Sequence, residues 1–226
     1  MAIAVPDPRR VRAASLDELR RLNLPLPPEQ FPLVWDAADT VELRSVAELE
    51  ARTAILNVVL ARCFGMPSAA ATAWLLDARL LEHLTKPEWH FLSSGEGDHR
   101  SFALHLEALY ALAWLVGLVP RLDPAQPAPD TLVPQLPHLP SKETYAAWRS
   151  RTLPAARPAD EAARALDLFY CLDWAYLEAE RQRVRLPGLI DSNAIGQRRW
   201  ALEWAVILRG EYHGDPPGWE EVDLST

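Results

Sequence analysis

Seven prolines fall within residues 120–140. Each fixes φ near −65° and removes a backbone donor, so no helix interior or central strand survives that density. Pro25, Pro27, Pro28 and Pro32 impose the same constraint nearer the N-terminus. The chain must therefore fold in blocks joined by extended connectors. Leu132, Val133, Leu136 and Leu139 give the longer connector apolar side chains with which to lie pinned on a surface.

Between these breaks the pattern is helical and strand signals are nearly absent. Ser15-Leu-Asp-Glu18 has capping-box form and predicts a short helix ending near Asn23. Residues 1–23 thus read as an N-terminal helix and arm. Ser45-Val-Ala-Glu48 opens a helix with Val46, Leu49, Thr53, Leu56, Leu60 and Cys63 on one stripe, stopped by Gly65 and Pro67. Ser68 can cap the next, and Thr85-Lys-Pro-Glu88 starts a short one. Residues 98–117 are apolar almost all round, so this helix should be central. Ser141 and Asp160 open two more, and the last helix is predicted from about Asp191 to Arg209. The expected fold is all-α: a single domain over 1–226, an orthogonal or irregular bundle of about eight helices with Pro-rich connectors.

Composition narrows the function. The chain has 226 residues, 49% of them hydrophobic, which excludes a disordered protein. Twenty-three basic against 31 acidic residues give a formal charge of −8, which argues against a nucleic-acid partner. Two cysteines, Cys63 and Cys171, make no disulfide framework and fit a reducing compartment. The longest apolar stretch, 102–119, carries His105 and Glu107 and falls short of the roughly 20 residues a membrane span needs. The N-terminal apolar run is too short for a signal-peptide core. These features point to a cytoplasmic protein with no membrane partner.

Catalytic motifs are missing. There is no glycine-rich phosphate loop, no paired-cysteine metal motif, no His-Glu-x-x-His helix and no Gly-x-Ser-x-Gly elbow. No catalytic residue and no cofactor is assigned. Glu82, His83, Glu88, His90, Asp98, His99, His105 and Glu107 concentrate imidazole and carboxylate groups in a short stretch. A metal-dependent hydrolase would need His83, His90 and His99 to converge; their spacing favours surface histidines around a polar loop.

Glu107 is more constraining, because a carboxylate in the most apolar helix needs a partner. Arg52, Arg198 and Arg199 are the candidates, and Glu203 lies beside the last two on the final helix. These five residues predict an internal ion-pair network or, alternatively, the polar pocket of a small-ligand sensor. Among nine tryptophans, Trp35, Trp89 and Trp219 lie in less regular segments, where they either latch those segments down or anchor a partner.

Three blocks carry a family resemblance. They are Leu43-Arg-Ser-Val-Ala-Glu-Leu-Glu-Ala-Arg52, Leu106-Glu-Ala-Leu-Tyr-Ala-Leu-Ala-Trp-Leu-Val-Gly117 with the Pro120-Arg-Leu-Asp-Pro124 turn, and Arg198-Arg-Trp-Ala-Leu-Glu-Trp204 with the closing Trp219-Glu-Glu-Val-Asp-Leu-Ser-Thr226. Together they resemble a mostly bacterial family, the domain of unknown function numbered 4272. The resemblance implies a helical single domain with a native C-terminus, and it matches the charged positions Arg44, Glu48, Arg52, Glu107 and Arg198. It carries no catalytic residue. The expected function is a non-enzymatic protein-binding module, an adaptor or immunity-type protein that meets a basic partner through its acidic surface.

Overall fold

The computed structural model describes residues 6–97, 99–152 and 155–225. Among these are eight α-helices: α1 Pro8–Arg21, α2 Val46–Cys63, α3 Ser68–Asp77, α4 Lys86–Ser94, α5 His99–Leu115, α6 Tyr145–Thr152, α7 Ala159–Arg181 and α8 Ser192–Ala205. Two short strands, β1 Thr40–Leu43 and β2 Val206–Arg209, and four short 3-10 helices complete the set. The protein is mostly helical, as its periodicity predicts. The sequence reading expects one domain; backbone contacts group the chain into two compact units. The first comprises the chain up to Arg44, Asp123–Pro127 and everything from Arg157 onward. The second comprises Ser45–Leu122 and Ala128–Ala156.

In the first unit α7 packs against both α1 and α8. Leu19, Leu166, Phe169, Leu172, Ile195 and Leu202 are buried there. Two local expectations change. Helix α1 starts at Pro8, not near Ser15, because Asp7 caps the Arg9 N–H and Pro8 fits a first turn where no donor is needed. Ser15 is instead buried mid-helix, its hydroxyl donating to Asp167 at 2.6 Å. Helix α8 stops at Ala205, four residues before Arg209. Its β-branched continuation Val206-Ile207 is drawn into an antiparallel ladder that pairs Thr40 with Arg209 and Leu43 with Val206. The fold is therefore helical with one two-stranded ladder.

Arg12 organises the crossing of α1 and α7. Its guanidinium bonds Asp167 at 2.8 Å and donates to the carbonyls of Phe31 and Pro32. The proline-rich 25–32 connector is thereby fixed to the helices through its own carbonyls.

The second unit is built on α2 packed against α5, with α3 and α4 on α2. Helix α2 has a complete capping box between Ser45 and Glu48. Every residue of α5 from Ala108 to Leu115 is buried, so this helix is central for half its length. Leu132, Leu136 and Leu139 of the longer connector are buried, while Val133 is exposed.

Asp167→Ala should destabilise the protein by about 3–5 kcal/mol, because it strands a buried guanidinium. Arg12→Met with Asp167→Leu should recover much of that loss. Urea unfolding of the two variants checks both; equal midpoints would mean the pair contributes nothing beyond packing.

Candidate functional site

Arg52 and Glu107 belong to the second unit, and Arg198, Arg199 and Glu203 to the first. Arg52 of α2 makes a bidentate pair with Glu88, at 2.7 and 3.1 Å, and donates to the His83 carbonyl at 2.7 Å. Glu88 also closes the capping box of α4 with Thr85. Glu88 is fully buried, and its spacing in the sequence identified it only as one of the His/Glu cluster. Glu107 is half-buried and accepts the Ala128 N–H at 3.1 Å.

In the first unit Arg198 is fully buried and donates to the Asp123 and Gln126 carbonyls. Arg199 bonds Asp173 at 2.7 Å, Glu203 at 3.2 Å and the Leu224 carbonyl at 3.0 Å, and stacks 4.6 Å from the Tyr170 ring. Burial pushes the Asp173 and Glu203 carboxyls up from their ordinary range, against the pull of Arg199. Arg199 and Glu203 are thus brought together, with Asp173 as a further member that the sequence pattern does not mark.

The tryptophans divide as well. Trp35 is buried and donates to the Pro6 carbonyl. Trp219 is buried against Trp200 and Trp204. Both latch irregular segments inward, so neither presents a ring to a partner. Trp89 keeps an exposed ring.

His83, His90 and His99 are exposed and lie beside different groups: Glu82, Glu96 and the Gly95 carbonyl. Among the described residues no three His, Cys, Asp or Glu side chains make a metal-holding group. Asp98, named in the same cluster, lies outside the described residues.

Two concavities stand apart from these pairs. The smaller, about 390 Å³, belongs to the first unit and is lined by Trp35, Asp36, Asp39, Tyr212 and His213 among others. Asp39 accepts the Asp36 N–H at 2.6 Å and lies 3.0 Å from His213 Nε2. The Asp36 N–H, and with it the His213 ring, holds the Asp39 carboxyl below its ordinary value. Gly210 leaves the room: a Cβ there would sit 1.8 Å from Asp39 Oδ1.

The larger, about 1200 Å³, belongs to the second unit. Its first wall is the end of α2 and the length of α3. Gly65, at φ +97°, turns the chain out of α2, and the Met66 N–H returns to the Ala61 carbonyl. That turn leaves Phe64 81% exposed at the groove, with Met66, Ala70, Ala73 and Trp74 beyond it. The second wall is residues 139–146. Trp74 donates to the Glu143 carbonyl at 2.7 Å and meets Tyr145 edge-on at 6.4 Å. Glu143 fixes this wall: its carboxylate takes Arg151 and the His138 N–H. Burial, then the nearby Glu50 charge, pushes the Tyr145 phenol up to about 12, so it stays a neutral donor.

The charged lining residues are Asp77, Arg79 and Lys142. Arg79 (φ 57°) and Lys142 (φ 58°) both have left-handed backbones, a conformation that costs an L-residue about 1–2 kcal/mol and that helix ends ordinarily give to glycine. Both side chains are exposed, and among the described residues neither has a hydrogen bond or an ion pair. Nothing in the local sequence pattern marks this groove, because Phe64 and Lys142 reach it through chain reversals rather than through periodicity.

Arg79→Gly and Lys142→Gly should each be neutral or stabilising, by up to about 1 kcal/mol, in urea unfolding. A loss of stability would show that these side chains hold the fold. The Arg151 hydrogen bond holds the Glu143 carboxyl below its ordinary value of 4.5. Its contribution is therefore complete above about 4.5 and is lost as pH falls through the lowered native value. Near-UV ellipticity from Trp74 and Tyr145 of the groove should fall in that window in the wild type and be reduced already at neutral pH in Glu143→Gln.

No curated protein and no solved structure matches the chain. A family model does, over residues 10–222: the domain of unknown function DUF4272. That span covers the buried Arg12, Arg52 and Arg199 pairs, both walls of the large groove and the Trp219 latch, and with it the chain belongs to the DUF4272 family.

Proposed function

We propose that this protein is a non-enzymatic protein-binding module, of adaptor or immunity type, and that a partner docks an apolar segment into the groove between α3 and residues 139–146. The observation that carries the reading is Phe64. A large aromatic ring left 81% exposed beside a 1200 Å³ apolar groove forgoes roughly 2 kcal/mol of burial that a docked partner would supply. Leu76 of α3, outside the groove lining, is 62% exposed. Trp74 and Tyr145 supply the aromatic, partly buried surface that dominates binding energy at protein interfaces. The groove walls are preorganised by the Trp74 and Glu143 hydrogen bonds, so docking orders few side chains.

The −8 charge still describes the protein as a whole and supports solubility. It does not describe the groove, whose lining has two cations and one anion.

A photo-crosslinking residue placed at Ala73 in the native host tests the reading. One discrete protein adduct is expected, and Ala70→Trp, which fills the groove from an exposed helical position, should abolish it. Absence of an adduct, or one that persists undiminished in the filled variant, would reject the groove as the docking site.

A further inference from the structure

The charged lining of the groove points to the chemistry of its occupant, an inference that rests on the docking role proposed above: the geometry points to an apolar protein segment that carries a carboxylate. Arg79 and Lys142 line opposite walls, one just past the end of α3, the other just before α6. Each occupies a left-handed backbone position where glycine would serve the fold better. The turns themselves are held by main-chain bonds, Leu80 N–H to Leu75 and Glu143 N–H to His138, which any residue would make. The turns therefore do not require these two side chains, which are left to the groove lining.

Their neighbours sharpen the contrast. Arg149 is tied to Glu50 and Arg151 to Glu143, so the other cations of this wall are already neutralised. Arg79 and Lys142 are exposed at the mouth with only Asp77 as opposing charge in the lining. An occupant with an apolar face would bury against Phe64, Met66 and Trp74. A carboxylate on it would meet a guanidinium or an ammonium beside a low-dielectric wall, where the attraction exceeds that in bulk water. A cationic occupant would be repelled by the same pair. The partner segment is thus acidic and apolar, although the chain as a whole is itself acidic.

Two fluorescent probes of similar apolar bulk separate charge from hydrophobicity: N-phenyl-1-naphthylamine, which is neutral, and 1-anilinonaphthalene-8-sulfonate, which is anionic. Both should bind the wild type at one site, and Ala70→Trp should weaken both at least tenfold. Arg79→Gln with Lys142→Gln should weaken the sulfonate about tenfold and change the neutral probe less than twofold, with near-UV ellipticity unchanged. Amphipathic peptides with one apolar face and either glutamate or lysine flanks then displace the neutral probe, the glutamate peptide at least fivefold more effectively. Equal response of both probes to the double variant would overturn the inference while leaving the groove reading intact. Indifference of both probes to Ala70→Trp would remove the groove reading and the inference with it. A sulfonate effect with no difference between peptides would assign the site to a small anionic amphiphile and overturn the protein-segment assignment.

Discussion

The Arg52–Glu88 pair is the constraint on which the second unit depends. Arg52 lies in the buried middle of α2, and a guanidinium there is tolerable only with its charge and its donors both satisfied. Glu88 meets the charge in a planar, two-bond arrangement, and the His83 carbonyl takes a further donor. Because Glu88 also closes the cap of α4, one carboxylate fixes the start of that helix and its seat on α2. The loop after α3 is therefore anchored at His83, and α4 in turn receives the Ser68 hydroxyl on the Leu92 carbonyl at 2.6 Å. Both ends of α3 are tied in this way, and α3 is the first wall of the groove. The buried pair lies outside the groove lining yet helps to hold the wall that α3 forms.

The same logic explains how so many prolines are accommodated. An extended proline-rich chain has carbonyls but few donors and makes no ladder of its own. Side chains supply the missing donors. In the first unit Arg198 bonds the Asp123 and Gln126 carbonyls and Tyr176 the Pro124 carbonyl, while the Leu189 N–H takes Ala125. Gly188 permits that approach, since a Cβ there would lie 1.8 Å from the Ala125 oxygen. In the second unit Asn57 takes Pro137, Trp148 takes Gln135 and Arg151 takes Leu136. The prolines set the shape of the connector, and the helices carry the arginine, tryptophan and tyrosine donors that hold it.

What the sequence discloses follows from how local each cause is. The Ser45 capping box, the Gly65 stop and the apolar α5 are each written within a few residues, and each is legible. The start of α1 is written locally too, in Asp7-Pro8, but Ser15 and Glu18 imitate a second cap that burial of Ser15 excludes. Strand β2 is not local at all: Val206-Ile207 continues a helical pattern until β1, more than 160 positions earlier, offers its donors and acceptors. Arg52 carries charge into an apolar helix, so its need for a partner is legible. The partner's identity is not, because Glu88 is brought to it by a chain reversal and reads in the sequence as one of the nearby histidine cluster.

The acid–base balance also changes meaning once it is resolved by position. Two of the 23 basic residues, Lys86 and Lys142, are lysines, and the rest are arginines. A guanidinium offers a planar fork of donors and is weakly hydrated, which suits it to buried carboxylates and connector carbonyls. The buried arginines, Arg12, Arg52, Arg198 and Arg199, are used in this way. A lysine ammonium is a compact, strongly hydrated charge that suits a solvent-facing site open to an incoming anion. Net charge therefore averages over two populations, buried cations already committed to the fold and the others at its surface. The groove lining belongs to the second population, and recognition there depends on that local remainder rather than on the sign of the sum.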